Sequence, residues 1–181
     1  MDDRIARLMK AMVEYDRGDN PRIHHFLKVH NLAKTIGCLE GVDNDTMQVL
    51  EAAAIVHDIG IHISEMKYGS SKGKYQEVEG PPEARLLMRR VGGFSNDEID
   101  RVAFLVGHHH TYRNIDGIDY QILVEADFLV NIFEDGLTPE AIAEVRRKIF
   151  RTKAGRELLD AMYGDAPWKT APQTEKCPSC C

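Results

Sequence analysis

Apolar residues return every third or fourth position along nearly the whole chain, the spacing that gathers them on one face of an α-helix. Val29, Leu32 and Ile36 form one such stripe, and Ile99, Val102 and Val106 another. Strict alternation of the kind a half-buried strand needs is not found over any convincing length. The pattern predicts an all-α, single-domain helical bundle of about eight helices, near 2–17, 21–38, 44–60, 81–91, 95–109, 119–133, 138–150 and 153–163. Start signals support these limits. Asn20-Pro21 and Thr138-Pro139 each read as a capping residue followed by proline in the first turn, and Ser95-Asn-Asp-Glu98 reads as a capping box. Between the third and fourth predicted helices, residues 61–80 read as one long loop rich in Gly, Ser and Lys. Loops of this length inside a compact domain are commonly functional. Residues 1–164 are assigned to the domain and 165–181 to a flexible tail carrying Cys177, Cys180 and Cys181.

Several polar residues interrupt the apolar stripes. Successive helical residues are about 100° apart, so neighbouring histidines can be assigned to opposite faces. His24 shares its face with Lys28, Asn31 and Thr35, whereas His25 shares its face with Val29, Leu32 and Ile36. His25 is therefore the inward one. His30 shares a flank with Ile23 and Leu27 and reads as a partly buried histidine bonded to backbone. His57 follows Leu50 and Ala54, and Asp58 follows Met47 and Ala54, both on the buried side of a helix C-terminus, where the helix dipole disfavours a bare carboxylate. Asp127 lies between Leu123 and Val130. His109 continues the Ile99–Val102–Val106 stripe, His108 continues Leu105, and His110 has the weakest apolar register of the three. An ionised group facing a core needs a partner. Several together point to a shared one, and a metal ion satisfies that requirement.

Composition narrows the picture. The chain has 181 residues, 43% hydrophobic and 29% charged, which suits one soluble globular domain with a real core. A net charge of −6 argues against bulk nucleic-acid binding, which requires a basic footprint. The charged N-terminus lacks a signal-peptide core, and no run of about 18 apolar residues suggests a membrane span. Four cysteines, three of them crowded into the last five residues, make no disulfide framework, so a cytoplasmic protein with reduced thiols is expected.

Taken together, Arg22-Ile-His-His25-Phe-Leu-Lys-Val29, Ala54-Ile-Val-His57-Asp58-Ile-Gly60 and Glu125-Ala-Asp127-Phe-Leu resemble the HD superfamily of metal-dependent phosphohydrolases, over roughly residues 20–135. The resemblance implies that His25, His57, Asp58 and Asp127 bind one metal ion. Binuclear members, such as the cyclic-dinucleotide phosphodiesterases and the diadenosine tetraphosphate hydrolases, carry further histidines. By that likeness His108, His109 and Glu79 complete a second shell, with Glu79 standing where the family has a histidine. Asp58 would bridge the two ions and is the candidate catalytic residue.

The implied cofactor is one or two divalent ions, and a mixed imidazole–carboxylate set suits Fe, Mn, Ni, Co, Zn or Mg. The implied reaction is attack of metal-activated water on a phosphomonoester or phosphodiester in a small phosphorylated molecule or nucleotide. Lys72, Lys74, Arg113 and His110 are the candidate substrate-binding residues, and His62 or His110 could protonate the leaving oxygen. Acids found soon after the dyad in the family's guanosine-tetraphosphate hydrolases and 5′-deoxynucleotidases are missing here, where the sequence reads Ile59-Gly-Ile-His62, so both subfamilies are disfavoured. Two other readings stand beside hydrolysis: a metal-binding or nucleotide-sensing module without turnover, and an HD-type di-iron oxygenase. A homo-oligomer is compatible with all three.

Overall fold

The computed structural model describes residues 3–164, and these form nine helices and no strand. They are α1 (Asp3–Tyr15), α2 (Asn20–Leu39), α3 (Asn44–Val56), α4 (Ile61–Tyr68), α5 (Gly73–Val91), α6 (Asn96–Val106), α7 (Ile118–Glu134), α8 (Pro139–Lys148) and α9 (Lys153–Tyr163). The all-α architecture agrees with the periodicity. The caps largely do too. The Ser95–Glu98 capping box is complete, and the Thr138 hydroxyl accepts from Ala141 N ahead of Pro139. At α2 the cap is Asp19, whose carboxylate accepts from Arg22 N, one residue before the expected Asn20.

α3 is the central element. Every residue from Val49 to Val56 is buried, as expected of a helix that is apolar all round. It packs against α1, α2, α6 and α7, while α2 also lies along α7 and α5 lies along α6. Because α3 is enclosed, the residues that follow it emerge inside the molecule rather than at its edge.

The stretch 61–80 is not a loop. It forms α4 and the first half of α5, which continues through Pro81 and Pro82. Its glycines misled the composition argument because they serve packing. A Cβ on Gly60 would sit 2.7 Å from Gly80 N and 2.9 Å from Gln76 O, and one on Gly80 would sit 2.6 Å from Val106 Cγ1. Backbones therefore approach where a side chain would hold them apart. Gly69 ends α4 with φ +63°, a left-handed cap.

Two helices also stop earlier than their apolar stripes suggest, α3 at Val56 and α6 at Val106. His57-Asp58 and His108-His109-His110 consequently lie in the turns that follow. Among the described residues no helix is long and apolar enough to cross a membrane. Cys38 is a free, exposed thiol. The tail containing Cys177, Cys180 and Cys181 lies outside the described residues.

Candidate metal centre

Four separate segments bring their polar groups to one buried point. α2 supplies His25 from its inward face, the turn after α3 supplies His57 and Asp58, and α7 supplies Asp127. The turn after α6 supplies His109 and His110. His24 is exposed while His25, His57, His109 and Asp127 are buried.

The distances are those of a ligand shell. His25 Nε2 and His57 Nε2 are 3.1 Å apart. Asp127 Oδ1 lies 3.2 Å from His25 Nε2 and 3.6 Å from His57 Nε2. Asp58 Oδ2 lies 3.5 Å from His25 Nε2 and 3.4 Å from His57 Nε2. Ligand atoms at about 2.1 Å from an ion, at right angles to one another, stand about 3 Å apart. The other carboxylate oxygen, Asp58 Oδ1, faces His109 Nε2 at 3.4 Å. Asp58 thus belongs to two groups of candidate ligands: His25, His57 and Asp58 in one, and Asp58, His109 and His110 in the other.

The outer bonds decide which ring nitrogens are free. His57 Nδ1 donates to Ala54 O at 2.9 Å, and His109 Nδ1 donates to Val106 O at 2.8 Å. A carbonyl can only accept, so these rings keep a proton on Nδ1 and turn Nε2 inward as the atom that can ligate a metal in place of a proton. Both carbonyls belong to the last turn of a helix, which is why the early endings of α3 and α6 matter: the freed carbonyls orient the histidines just beyond them. His25 Nδ1 instead meets Glu134 Oε2 at 2.8 Å. Asn131 Nδ2 donates to Asp127 Oδ1 at 2.9 Å. Nε2 of His109 and Nε2 of His110 are buried with no hydrogen-bond partner among the described residues, so the chemistry of the donor set fits a cation.

Electrostatics agree. Burial works against the charged form of each group, yet Asp127 and Asp58 raise the His25 pKa, and the same carboxylates raise His57 well above the usual histidine range. Burial likewise opposes ionised Asp58, but His57 and His109 hold it well below the carboxylate range, and His25 and His57 do the same for Asp127. The carboxylates are stabilised only by positive charge beside them, which a bound cation would supply in place of protons. His110 differs. Burial, followed by His109, pushes its pKa down to about 4, so it stays neutral near pH 7.

Other candidates fall elsewhere. His108 donates from Nδ1 to Phe104 O at 2.7 Å and stacks on the Phe104 ring at 4.2 Å, outside both groups; His110 stands in the position expected of it. The helix rule failed here because α6 ends before these residues. In the turn, the 100° step no longer applies. The Tyr120 hydroxyl shares its proton between the His108 and Thr111 carbonyls and so holds that turn in place. Glu79 faces away from the cluster: it accepts from Tyr68 Oη at 2.7 Å and Lys67 Nζ at 2.5 Å, and these donors lower its pKa. Its helical neighbour Gly80 is packed against Val106, which turns Glu79 toward α4. His62 Nε2 pairs with Asp16 Oδ1 at 3.0 Å and its Nδ1 meets Arg22 Nη1 at 3.0 Å, a separate polar cluster between α1, α2 and α4. Lys72, Lys74 and Arg113 are exposed. The first two flank Gly73, where a Cβ would come within 2.6 Å of the His110 ring, so their backbone adjoins the cluster. Glu134 and Asn131 were missed from sequence, since both lie near the end of α7 and read as ordinary surface polar positions.

A helical domain with a buried histidine–aspartate cluster, gathered from four segments around a His-Asp dyad, is the class of protein these features define. The HD domain model matches residues 22–161, and the chain belongs to the HD domain family. That membership supports a metal-dependent hydrolase. Among solved structures, a predicted HD superfamily hydrolase from an uncultured Thermotogales bacterium shares the fold, with a TM-score of 0.61 and 24% identity over 86% of this chain and 83% of its own. None of the curated proteins compared with the chain matches it.

Proposed function

We propose that the protein is a metal-dependent phosphohydrolase acting on a small phosphorylated molecule or nucleotide. One observation carries this reading: the Nε2 atoms of His25 and His57, 3.1 Å apart, face two carboxylates while their Nδ1 atoms are engaged elsewhere. His25, His57, Asp58 and Asp127 are the proposed ligands of one ion, and Asp58, His109 and His110 those of a second. A bound divalent ion supplies a Lewis acid and a water of lowered pKa at the scissile phosphorus.

The protein's own groups do the rest. Asp58, shared between the two ligand groups, fixes their separation. Asn131 holds Asp127 in its orientation. Neutral His110 serves as ligand rather than as acid, because burial disfavours its protonation. Lys72 and Lys74 flank the residue that touches His110 and are the proposed phosphate contacts, with exposed Arg113 a third candidate. His108 and Glu79, bonded to Phe104 O and to Lys67 and Tyr68, have no part in this scheme.

The test combines elemental analysis with a screen of phosphoesters and nucleotides in the presence of Mn, Fe, Ni or Mg. Wild type and His108→Ala should hold metal and turn over a phosphoester, while Asp58→Ala and Asp127→Ala should do neither. Equal metal content in wild type and Asp58→Ala would refute the centre. Metal and tight nucleotide binding with no turnover would indicate a sensing module instead, and oxygen consumption by an iron-loaded form would indicate an oxygenase.

A further inference from the structure

The histidines aimed at the cluster are not anchored alike. His57 and His109 give their Nδ1 protons to backbone carbonyls, which are part of the helices themselves. His25 lies mid-helix in α2, where backbone carbonyls are already taken by the helix. Its anchor is a side chain from another element, Glu134 of α7, at 2.8 Å. The second carboxylate oxygen of Glu134 accepts from Lys28 Nζ, one turn along α2 from His25. Along α7, Asp127, Asn131 and Glu134 fall at +4 and +3 spacing, so one stripe offers a ligand oxygen, the amide that orients it and the carboxylate behind His25.

We propose that Glu134 is a positioning residue of the metal centre, selecting the His25 tautomer with a bare Nε2, and that Lys28 fixes Glu134 for that task. The inference rests on the reading of the cluster as a metal centre. Without the carboxylate, nothing else described near His25 Nδ1 obliges the proton to remain there. The ring is then free to carry it on Nε2, 3.2 Å from Asp127 Oδ1, where it blocks the lone pair that a metal needs. The carboxylate also increases the electron density of the imidazole and so its strength as a ligand.

The experiment measures Zn affinity by chelator competition on the full chain. The series is wild type, Asp58→Ala, Glu134→Ala, Glu134→Gln and Lys28→Met. Glu134→Ala should bind roughly 10- to 100-fold more weakly than wild type, the usual cost of losing an outer-shell partner. Glu134→Gln, which can still accept from Nδ1, should recover part of the loss, and Lys28→Met should show a smaller one. Proton NMR of the Zn-loaded protein gives a second readout that general destabilisation would not produce. The Nδ1–H resonance of His25 should be slow to exchange in wild type and lost in Glu134→Ala, with those of His57 and His109 unchanged. Wild-type affinity and an intact His25 resonance in Glu134→Ala would overturn the proposal. Zn binding no tighter in wild type than in Asp58→Ala would instead overturn the metal reading on which it rests. Should Glu134→Ala fail to fold, the Gln and Met variants decide by the same two measurements.

Discussion

His30 shows how one buried residue can be read correctly in part. Its place on one helix flank with Ile23 and Leu27 indicates partial burial, and it is buried. Its partner is not backbone, as expected, but Glu51 at 2.9 Å, a carboxylate on α3 that also accepts from Lys34 Nζ at 3.0 Å. Burial, the largest influence, lowers the His30 pKa and outweighs the raising effect of Glu51, with Lys34 adding to the lowering. A histidine whose folded pKa lies below its unfolded value of about 6.5 binds protons more readily when unfolded. Its contribution to stability is therefore complete above about pH 6.5 and declines as pH falls toward the folded pKa. Denaturant melts between pH 7 and pH 5 should show wild type losing stability on acidification relative to His30→Gln, which retains a donor toward Glu51. A stability difference between wild type and the variant that does not change with pH, or changes in the opposite sense, would contradict this account.

At the scale of elements, glycine was the residue most easily misread. Glycines, serines and lysines made residues 61–80 resemble a loop, and the next helix was expected to begin only at residue 81. Only Gly69 has the positive φ that such a reading assumes; Gly73 and Gly80 are helical and close-packed, one against His110 and the other against Val106. The close approach at Gly60 makes a direct prediction. In Gly60→Ala the new methyl meets backbone atoms of Gly80 and Gln76, which cannot rotate aside as a side chain could. Overpacking of this kind costs about 1–3 kcal/mol. For a chain of this size that corresponds to a fall in Tm of about 2–4 °C per kcal/mol, and thermal denaturation of the metal-free variant checks it. Because Gly60 is two residues from Asp58, weakened metal binding should accompany the fall. A variant as stable as wild type would show that α5 is free to move away.

Across the whole molecule, the cluster ties together α2, the end of α3, the end of α6 and α7, elements far apart in sequence. Several charged or polar groups converge there inside the core, and the native arrangement creates the binding site that the unfolded chain lacks. A metal bound to the folded state alone should therefore stabilise it, by about 2.7 kcal/mol at a free concentration 100 times Kd. Adding Zn or Mn to chelator-treated protein should raise Tm in wild type and leave Asp127→Ala unchanged. A wild-type Tm indifferent to metal would count against a ligand set bridging these helices.

Helical class, most caps and the inward faces of His25 and Asp127 were legible in the order of residues, since each depends on local geometry: a 100° step along a regular helix and a side chain within reach of its own backbone. The His-Asp dyad was legible because its spacing from His25 and Asp127 carries the family likeness. The identity of the third and fourth imidazoles was not. Whether His108, His109 or His110 enters the cluster depends on where α6 stops, and that is set by packing against α5 and by Tyr120 holding the following turn. Glu79 and Glu134 exchanged the importance their positions suggested for the same reason. A carboxylate's partner is decided by which helix lies opposite it, and only the tertiary arrangement puts Lys67 and Tyr68 before the one and His25 before the other.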